Sequence, residues 1–430
     1  MKYGYLFYQK PMHPRMKTRP VNLGDPIQSY AVKLLYREMG IAEEDIVPVP
    51  RYDMAQYDGE ECVCVVNTAS TYEETVYDSH FMPPSPKVHA IPLSLYVHRE
   101  IPDAELAFYR NCGGVGCRDL RTVEYLQSKG VPAYLTGCLT LTLPRRSAEV
   151  AAKADKVYLM EVPADVRRIM PQSLREEGIE LSNVLRFPNT RGTSRISVEE
   201  AFDIHRQGEE RAALLRDTAR LVITSRLHVA SPCLAMGIPV VLAKSHFGDR
   251  FGYIDRILPT YTPEHYDEID WNPQPVDFEE DKAKIKQLFF DRVRAEVSRV
   301  EMSNMWASKK PIYEIDYDTA TSHAVKKISF PTGAFPYAVW GLAMPVGIYL
   351  DEAMRQLIPQ GKLVAGIDIA LEGTYYGAPI IRPEEIDHLP QDTIIFVIAP
   401  SAQKPAKEML TKLGRPYVLI RGTSGEHAGF

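Results

Sequence analysis

Residues 221–243 read LVITSRLHVASPCLAMGIPVVLA, and this stretch decides the fold class. Two short apolar runs, 221–223 and 240–242, flank a segment of small residues, a pattern of buried strands with a helical segment between them. Ser225, Arg226, Leu227 and His228 stand just past the end of the first predicted strand, and open α/β sheets bind ligands beyond the carboxyl ends of their strands. A helix opening near Ser225 presents free N–H groups and its positive dipole end to an anion. Arg226 adds a permanent, fork-shaped charge suited to phosphate or carboxylate, and His228 titrates near neutral pH and exchanges protons. A structural arginine and a hydrogen-bonded histidine at a helix start fit the same residues. Pro232 offers no N–H to the carbonyl of His228, so the helix either kinks there or starts at Ser231.

Outward from this stretch, strands and helices alternate. Residues 3–8, 62–66, 88–93, 115–118 and 133–136 read as strands. Residues 26–39 read as a helix with Asp25 as its cap and Pro26 in the first helical position. A second helix spans 120–129, capped by Asp119 and ended by Gly130. The polar stretch 144–155 reads as a linker to a second unit, with strands at 157–161, 184–187, 221–223 and 240–243 and helices at 198–215 and 281–302. Residues 304–336 read as another linker. A third unit carries strands at 337–340, 362–367, 393–399 and 417–420 and helices at 346–357 and 402–413. The expected domains are therefore 1–145, 155–305 and 335–430, all α/β with mainly parallel sheets.

The bulk numbers exclude several function classes. At 430 residues there is room for two or three domains of roughly 100–200 residues each. A net charge of −6 argues against nucleic acid as the main partner. No run of about 18 apolar residues exists, and residues 1–10 lack the apolar core of a signal peptide. Six cysteines are sparse for this length and fit a reducing, cytoplasmic setting. Cys62 and Cys64, two apart in an apolar run, read as core. Cys112 and Cys117 lack a second ligand pair, so no metal is expected.

Four further constellations bear on chemistry. Asn22, Gly24 and Asp25 suit a turn and helix cap, or a ligand contact at a strand's carboxyl end. Gly113, Gly114 and Gly116 permit close backbone approach before Arg118, which either pairs with Asp119 or meets an anion. Residues 67–70, with Asn67 and Ser70, form a turn or touch a ligand after the 62–66 strand. Residues 340–347 sit where a dinucleotide fingerprint would, but Ala343 and Val346 replace two of its glycines.

Taken together, NLGD at 22–25, GVGCRDLRT at 114–122, GCLTLTL at 137–143 and ITSRLHVASPCLAMGIPV at 223–240 resemble the polysaccharide pyruvyl transferase family, in the family's order. The resemblance covers roughly residues 1–305. It implies two Rossmann-like domains facing across a cleft in a GT-B-like arrangement, an N-terminal acceptor-side domain and a second, phosphoenolpyruvate-side domain. It also implies transfer of the pyruvyl group of phosphoenolpyruvate onto two hydroxyls of a sugar, with a cyclic ketal formed, phosphate released and no cofactor beyond the donor itself. By that similarity His228 is the catalytic acid/base, and Arg226 and Arg118 meet the donor's anionic groups. Leu227 of the same segment, Asn22, Asp25, Asn67 and Ser70 complete the expected substrate contacts. Where many relatives carry a glycine-rich turn after the third strand, this chain has Asn67-Thr68-Ala69-Ser70. The unit from about residue 335 lies outside the family pattern and resembles small Rossmann-like domains appended to sugar-polymer biosynthesis proteins, which suits docking or dimerisation as readily as a nucleotide. The implied setting is capsule, exopolysaccharide or cell-wall assembly in the cytoplasm, at the inner membrane face if the acceptor is lipid-linked. A GT-B glycosyltransferase using a nucleotide sugar, or a non-catalytic partner in polysaccharide assembly, are the alternatives.

Overall fold

Buried apolar runs alternating with amphipathic helices give the chain parallel sheets. The computed structural model describes residues 1–9, 18–70, 82–188, 195–307, 313–318, 323–324, 334–342 and 360–422. The chain divides into two compact units, Met1–Val293 and Arg294–Phe430.

The first unit holds two fully parallel sheets. One has the order β3-β1-β4-β6, with β1 at Lys2–Phe7, β3 at Ile46–Pro50, β4 at Cys62–Val66 and β6 at Val88–Pro92. All five residues of β4, Cys62 and Cys64 included, are buried, as expected for a parallel strand covered on both faces. The other sheet has the order β11-β10-β13-β14-β15: Ile179–Glu180, Lys156–Met160, Ala219–Thr224, Val240–Ala243 and Thr260–Tyr261. Its core joins Val157, Leu159, Leu221, Ile223 and Val241 to Val166 and Met170.

A two-stranded antiparallel ribbon, β2 (Thr18–Asn22) with β12 (Val184–Pro188), links the sequence before the first helix to the second sheet's neighbourhood. The sequence predicts a strand at 184–187, which the structure extends to Pro188; it predicts neither the partner strand, which contains Pro20, nor pairing outside the main sheet. Short parallel pairs β5–β7 (Ala69–Ser70 with Tyr96–Val97) and β8–β9 (Val115–Cys117 with Ala133–Leu135) complete this unit.

Two expected helix starts fare differently. Helix Leu120–Ser128 is capped by Asp119, whose side chain accepts from the Thr122 N–H at 2.8 Å. Helix α1 starts earlier than expected, at Gly24, and runs to Glu38. Leu23 holds the cap position, Asn22 Oδ1 accepts from the Gly24 N–H at 3.1 Å, and Asp25 lies inside the first turn rather than capping it. The stretch read as a linker at 144–155 contains a helix, Ala148–Lys153, capped by the Ser147 hydroxyl.

The second unit carries an eight-stranded sheet of order β17-β16-β23-β22-β18-β19-β21-β20. Its strands are β16 (Tyr313–Asp318), β17 (His323–Ala324), β18 (Phe335–Trp340), β19 (Gly361–Ile367), β20 (Thr374–Tyr375), β21 (Ala378–Ile381), β22 (Ile394–Val397) and β23 (Tyr417–Gly422). The pairs β16–β17 and β20–β21 are antiparallel and the rest parallel. Both β16 and β17 fall in the stretch 304–336 that reads as a linker. The helix expected at 346–357 and residues 343–347 lie outside the described residues. Asp368 accepts from three backbone N–H groups, those of Leu342, Ala370 and Leu371. Among the described residues no helix is long and apolar enough to cross a membrane.

Candidate active site

The carboxyl ends of both parallel sheets of the first unit open onto one cavity of about 510 Å³. Tyr8 enters it just after β1, Thr68 after β4, Tyr96 from β7 and Arg118 just after β8. His228 enters after β13, and Lys244, His246 and Arg250 from the loop that follows β14. Asn22 lines it from the end of β2, and Asp25 and Gln28 from the start of α1. Convergence of loops at strand carboxyl ends is the geometry in which α/β folds bind ligands.

His228 sits in the first turn of the helix Leu227–Ala235, which keeps Pro232 in its interior. The helix bends where Pro232 withholds its N–H: His228 has the non-helical φ/ψ of −82°, 21°. The bent turn packs against α1 so closely that a Cβ on Gly24 would lie 2.7 Å from the His228 Cβ and 3.1 Å from its Nδ1. The glycine of NLGD therefore makes room for the histidine of RLH. Beneath, the Thr140 hydroxyl meets the Ser231 hydroxyl at 2.7 Å, and Ser231 donates to the Leu227 carbonyl at 2.9 Å. The GCLTLTL block thus braces the helix that carries His228.

Arg118 Nη1 lies 3.3 Å from His228 Nε2. Guanidinium nitrogens only donate, so Nε2 is the acceptor and is unprotonated, as in a neutral imidazole with its proton on Nδ1. Burial, with the nearby Arg118 and Arg250 charges, holds His228 well below the ordinary histidine range. Burial, with Arg118 and Arg226 adding to it, lowers Arg250; burial, with Arg250 and Arg226, lowers Lys244. All three shifts run in one direction because burial disfavours each charged form and neighbouring cations add to it. Among the described residues Arg51, Arg118, Lys244 and Arg250 line the cavity against one carboxylate, that of Asp25. Positive charge is in excess there, and an anionic ligand would relieve it.

Of the residues singled out from sequence, His228, Arg118, Asn22 and Asp25 line the cavity; Arg226, Leu227, Asn67 and Ser70 do not. Arg226 is exposed and occupies the N-cap position of its helix with no side-chain cap hydrogen bond, near enough to add to the lowering of Lys244 and Arg250. Leu227 is core, 3% exposed. Asn67 is wholly buried and donates through Nδ2 to the Gln28 carbonyl at 2.9 Å, tying β4 to α1, and Ser70 is wholly buried in β5. Arg118 makes no ion pair with Asp119, which instead takes the N–H and hydroxyl of Thr122.

Tyr8, Gln28, Arg51, Tyr96, Lys244 and Arg250 also line the cavity and belong to none of the sequence motifs above. Lys244 and Arg250 carried a usable signal, since they follow an apolar strand next in the chain to the RLH segment. Among the described residues no group of three His, Cys, Asp or Glu side chains converges to hold a metal ion.

Among solved structures, an uncharacterized protein of Klebsiella pneumoniae subsp. pneumoniae NTUH-K2044 is similar at 15% identity and a TM-score of 0.33, over 59% of this chain and 88% of that one. No curated protein matches the chain. The family model described as polysaccharide pyruvyl transferase matches residues 22–245, from the Asn22 turn to the loop beyond β14. That span is just over half of the chain and contains both Gly24 and His228, where the missing glycine side chain leaves room for the imidazole: the chain belongs to the polysaccharide pyruvyl transferase family.

Proposed function

We propose that the cavity binds phosphoenolpyruvate and a sugar of a polysaccharide or its precursor, and joins them as a pyruvate ketal. The observation that carries this reading is the excess of guanidinium and ammonium groups around a neutral imidazole. Phosphoenolpyruvate brings a phosphate and a carboxylate, and Arg118, Lys244 and Arg250 are suited to both, with Arg226 at the rim. The two parallel sheets then act as the two faces of a GT-B-like cleft, with the donor toward β13 and β14. The sugar lies toward Tyr8, Arg51, Thr68 and Tyr96, and the unit beyond residue 294 serves docking rather than chemistry. The enzyme would work on the cytoplasmic side of the membrane without spanning it.

The chemistry suits a histidine of switchable charge. One proton is added to the methylene carbon of the donor, the first sugar hydroxyl bonds to its central carbon, and phosphate departs. The second hydroxyl then closes the ring; of the two hydroxyl protons, one balances the new methyl group and the other leaves with phosphate. His228 moves these protons, a role contributing about 10²–10⁴-fold. In the resting site Arg118 and Arg250 oppose its protonation. Once the donor's anions satisfy those cations, the imidazole gains basicity when the reaction requires it. No metal or further cofactor is called for.

The test is incubation of the protein with phosphoenolpyruvate and a panel of sugar acceptors, with phosphate release and the mass gain of a pyruvyl ketal as readouts. Stabilisation by nucleoside diphosphates but not by phosphoenolpyruvate, with no ketal formed, would favour a nucleotide-sugar transferase instead.

A further inference from the structure

Arg118 is 3% exposed, yet among the described residues no carboxylate pairs with it. Buried arginines ordinarily have an acidic partner. Here the partners are neutral. Nη2 donates to Gln28 Oε1 at 2.7 Å and to the Ser94 carbonyl at 3.1 Å, and Nε donates to the Ser94 hydroxyl at 3.4 Å. That leaves Nη1 for His228 and the cavity.

Both partners are themselves fixed. Gln28 is 2% exposed, its carbonyl takes the Asn67 amide, and its Nε2 reaches Asp25 Oδ1 at 3.4 Å. The last contact orients the side-chain amide, nitrogen to the carboxylate and oxygen to the guanidinium. Ser94 is wholly buried with φ +65°, a conformation that side-chain-bearing residues hold only when their surroundings impose it. It turns both its carbonyl and its hydroxyl to Arg118.

We propose that Gln28 is a positioning residue: its neutral amide oxygen fixes Arg118 against His228 without neutralising the guanidinium, which stays available to the anionic donor. This rests on the reading of the cavity as a phosphoenolpyruvate site. A carboxylate at the same place would hold Arg118 equally well and cancel its charge. Among the described residues the ionisable groups lining the cavity with His228 are Arg118 after β8, Arg250, Lys244 and His246 in the loop after β14, Asp25 on α1, and Tyr8, Arg51, Tyr52, Tyr96 and His98 from the first sheet's side. Gln28→Glu adds one negative charge to that set and replaces the Nε2 donor to Asp25 with a carboxylate oxygen, whereas Gln28→Met removes that donor without adding charge.

The experiment compares the full-length wild type with Gln28→Glu and Gln28→Met. His228 is titrated by NMR on histidine-labelled protein without substrate, its signal assigned by His228→Gln. Phosphoenolpyruvate binding is measured by calorimetry, and kcat and KM with an acceptor. For Gln28→Glu, His228 should titrate higher by about one pH unit or more, and the donor dissociation constant should rise about tenfold or more. Gln28→Met leaves the charge of Arg118 intact but frees its position, so kcat should fall about tenfold with a smaller change in donor KM. It also decides the matter if the buried carboxylate prevents folding. Folded variants with wild-type His228 titration, donor affinity and kcat would overturn the role of Gln28. A wild type that binds no phosphoenolpyruvate would overturn the reading of the cavity, while the substrate-free titration still decides the role of Gln28.

Discussion

The two cationic walls of the cavity are built differently. On one side Arg118 is buried, and its hydrogen bonds run to Gln28, Ser94 and His228. On the other, Lys244 and Arg250 lie on the loop after β14, half-buried, with no side-chain hydrogen bond or ion pair among the described residues. Their guanidinium and ammonium groups lie over the Phe251 ring at 5.5 Å and 5.3 Å from its centroid. The first wall is set before any ligand arrives; the second has its cations resting on an aromatic face, ready to turn to an anion. A rigid cation next to the acid/base group favours the transition state, whereas adaptable cations contribute attraction to ground and transition states alike.

Breaking the rigid wall should have the largest effect. His228→Gln should lower kcat by about 10²–10⁴-fold while the protein still melts cooperatively; an active variant would remove His228 from the mechanism. Gly24→Ala attacks the same wall through the backbone. The new methyl group would overlap the His228 Cβ, which should cost about 1–3 kcal/mol in stability. Displacing the imidazole should cost about 10²-fold in kcat. Thermal melting and single-turnover rates check both.

A smaller effect separates the two arginines. Arg118→Ala orphans Gln28 Oε1 and the Ser94 carbonyl, so it should lower stability by about 1–3 kcal/mol as well as activity. Arg250→Ala orphans nothing. It should leave stability within about 0.5 kcal/mol and raise the phosphoenolpyruvate KM about 10–100-fold, the worth of a charged hydrogen bond. Equal losses of stability in the two variants would show that the walls do not differ as described.

Legibility in the sequence followed the same division. Strands such as β4 and β14 are continuous apolar runs because parallel sheets bury both faces, and Asp119 is legible as a cap because capping is local. The β2 strand is not: it contains a proline and pairs with residues far along the chain, Asn22 opposite Val184. His228 and Arg118 stood out as isolated polar residues at apolar strand ends. Lys244 and Arg250 look like any solvated loop until β14 lies beside β13. Gln28 was hidden in the apolar face of α1 between Ile27 and Ala31. Asn67 and Ser70 read as a turn or as ligand contacts because they follow a strand; Asn67 instead bonds Gln28 and Ser70 pairs with Val97, while Thr68 and Ala69 between them line the cavity.

The smallest effect concerns how the rigid wall is anchored. His205, 4% exposed on helix Val198–Thr218, accepts the Tyr8 backbone N–H through Nε2 at 3.1 Å and stacks on Phe7, with ring centroids 5.1 Å apart. The contact joins the end of β1 to the helix preceding β13, and only an unprotonated Nε2 can make it. Burial, with the Lys33 charge, lowers His205 to about 3. In the unfolded chain the same group titrates near its ordinary value of 6.5. Between those limits the unfolded state binds more protons, so stability falls as pH drops from 6.5 toward 3, with a limiting slope of about 1.4 kcal/mol per pH unit from this group. His228, lowered for related reasons, adds a term of the same sign. His205→Gln retains a side-chain acceptor without a titrating group. Its denaturant midpoint should lie slightly below the wild type's at pH 7, and the gap should close or reverse by pH 5. A gap that stays constant with pH would mean that His205 supports Tyr8 by packing alone.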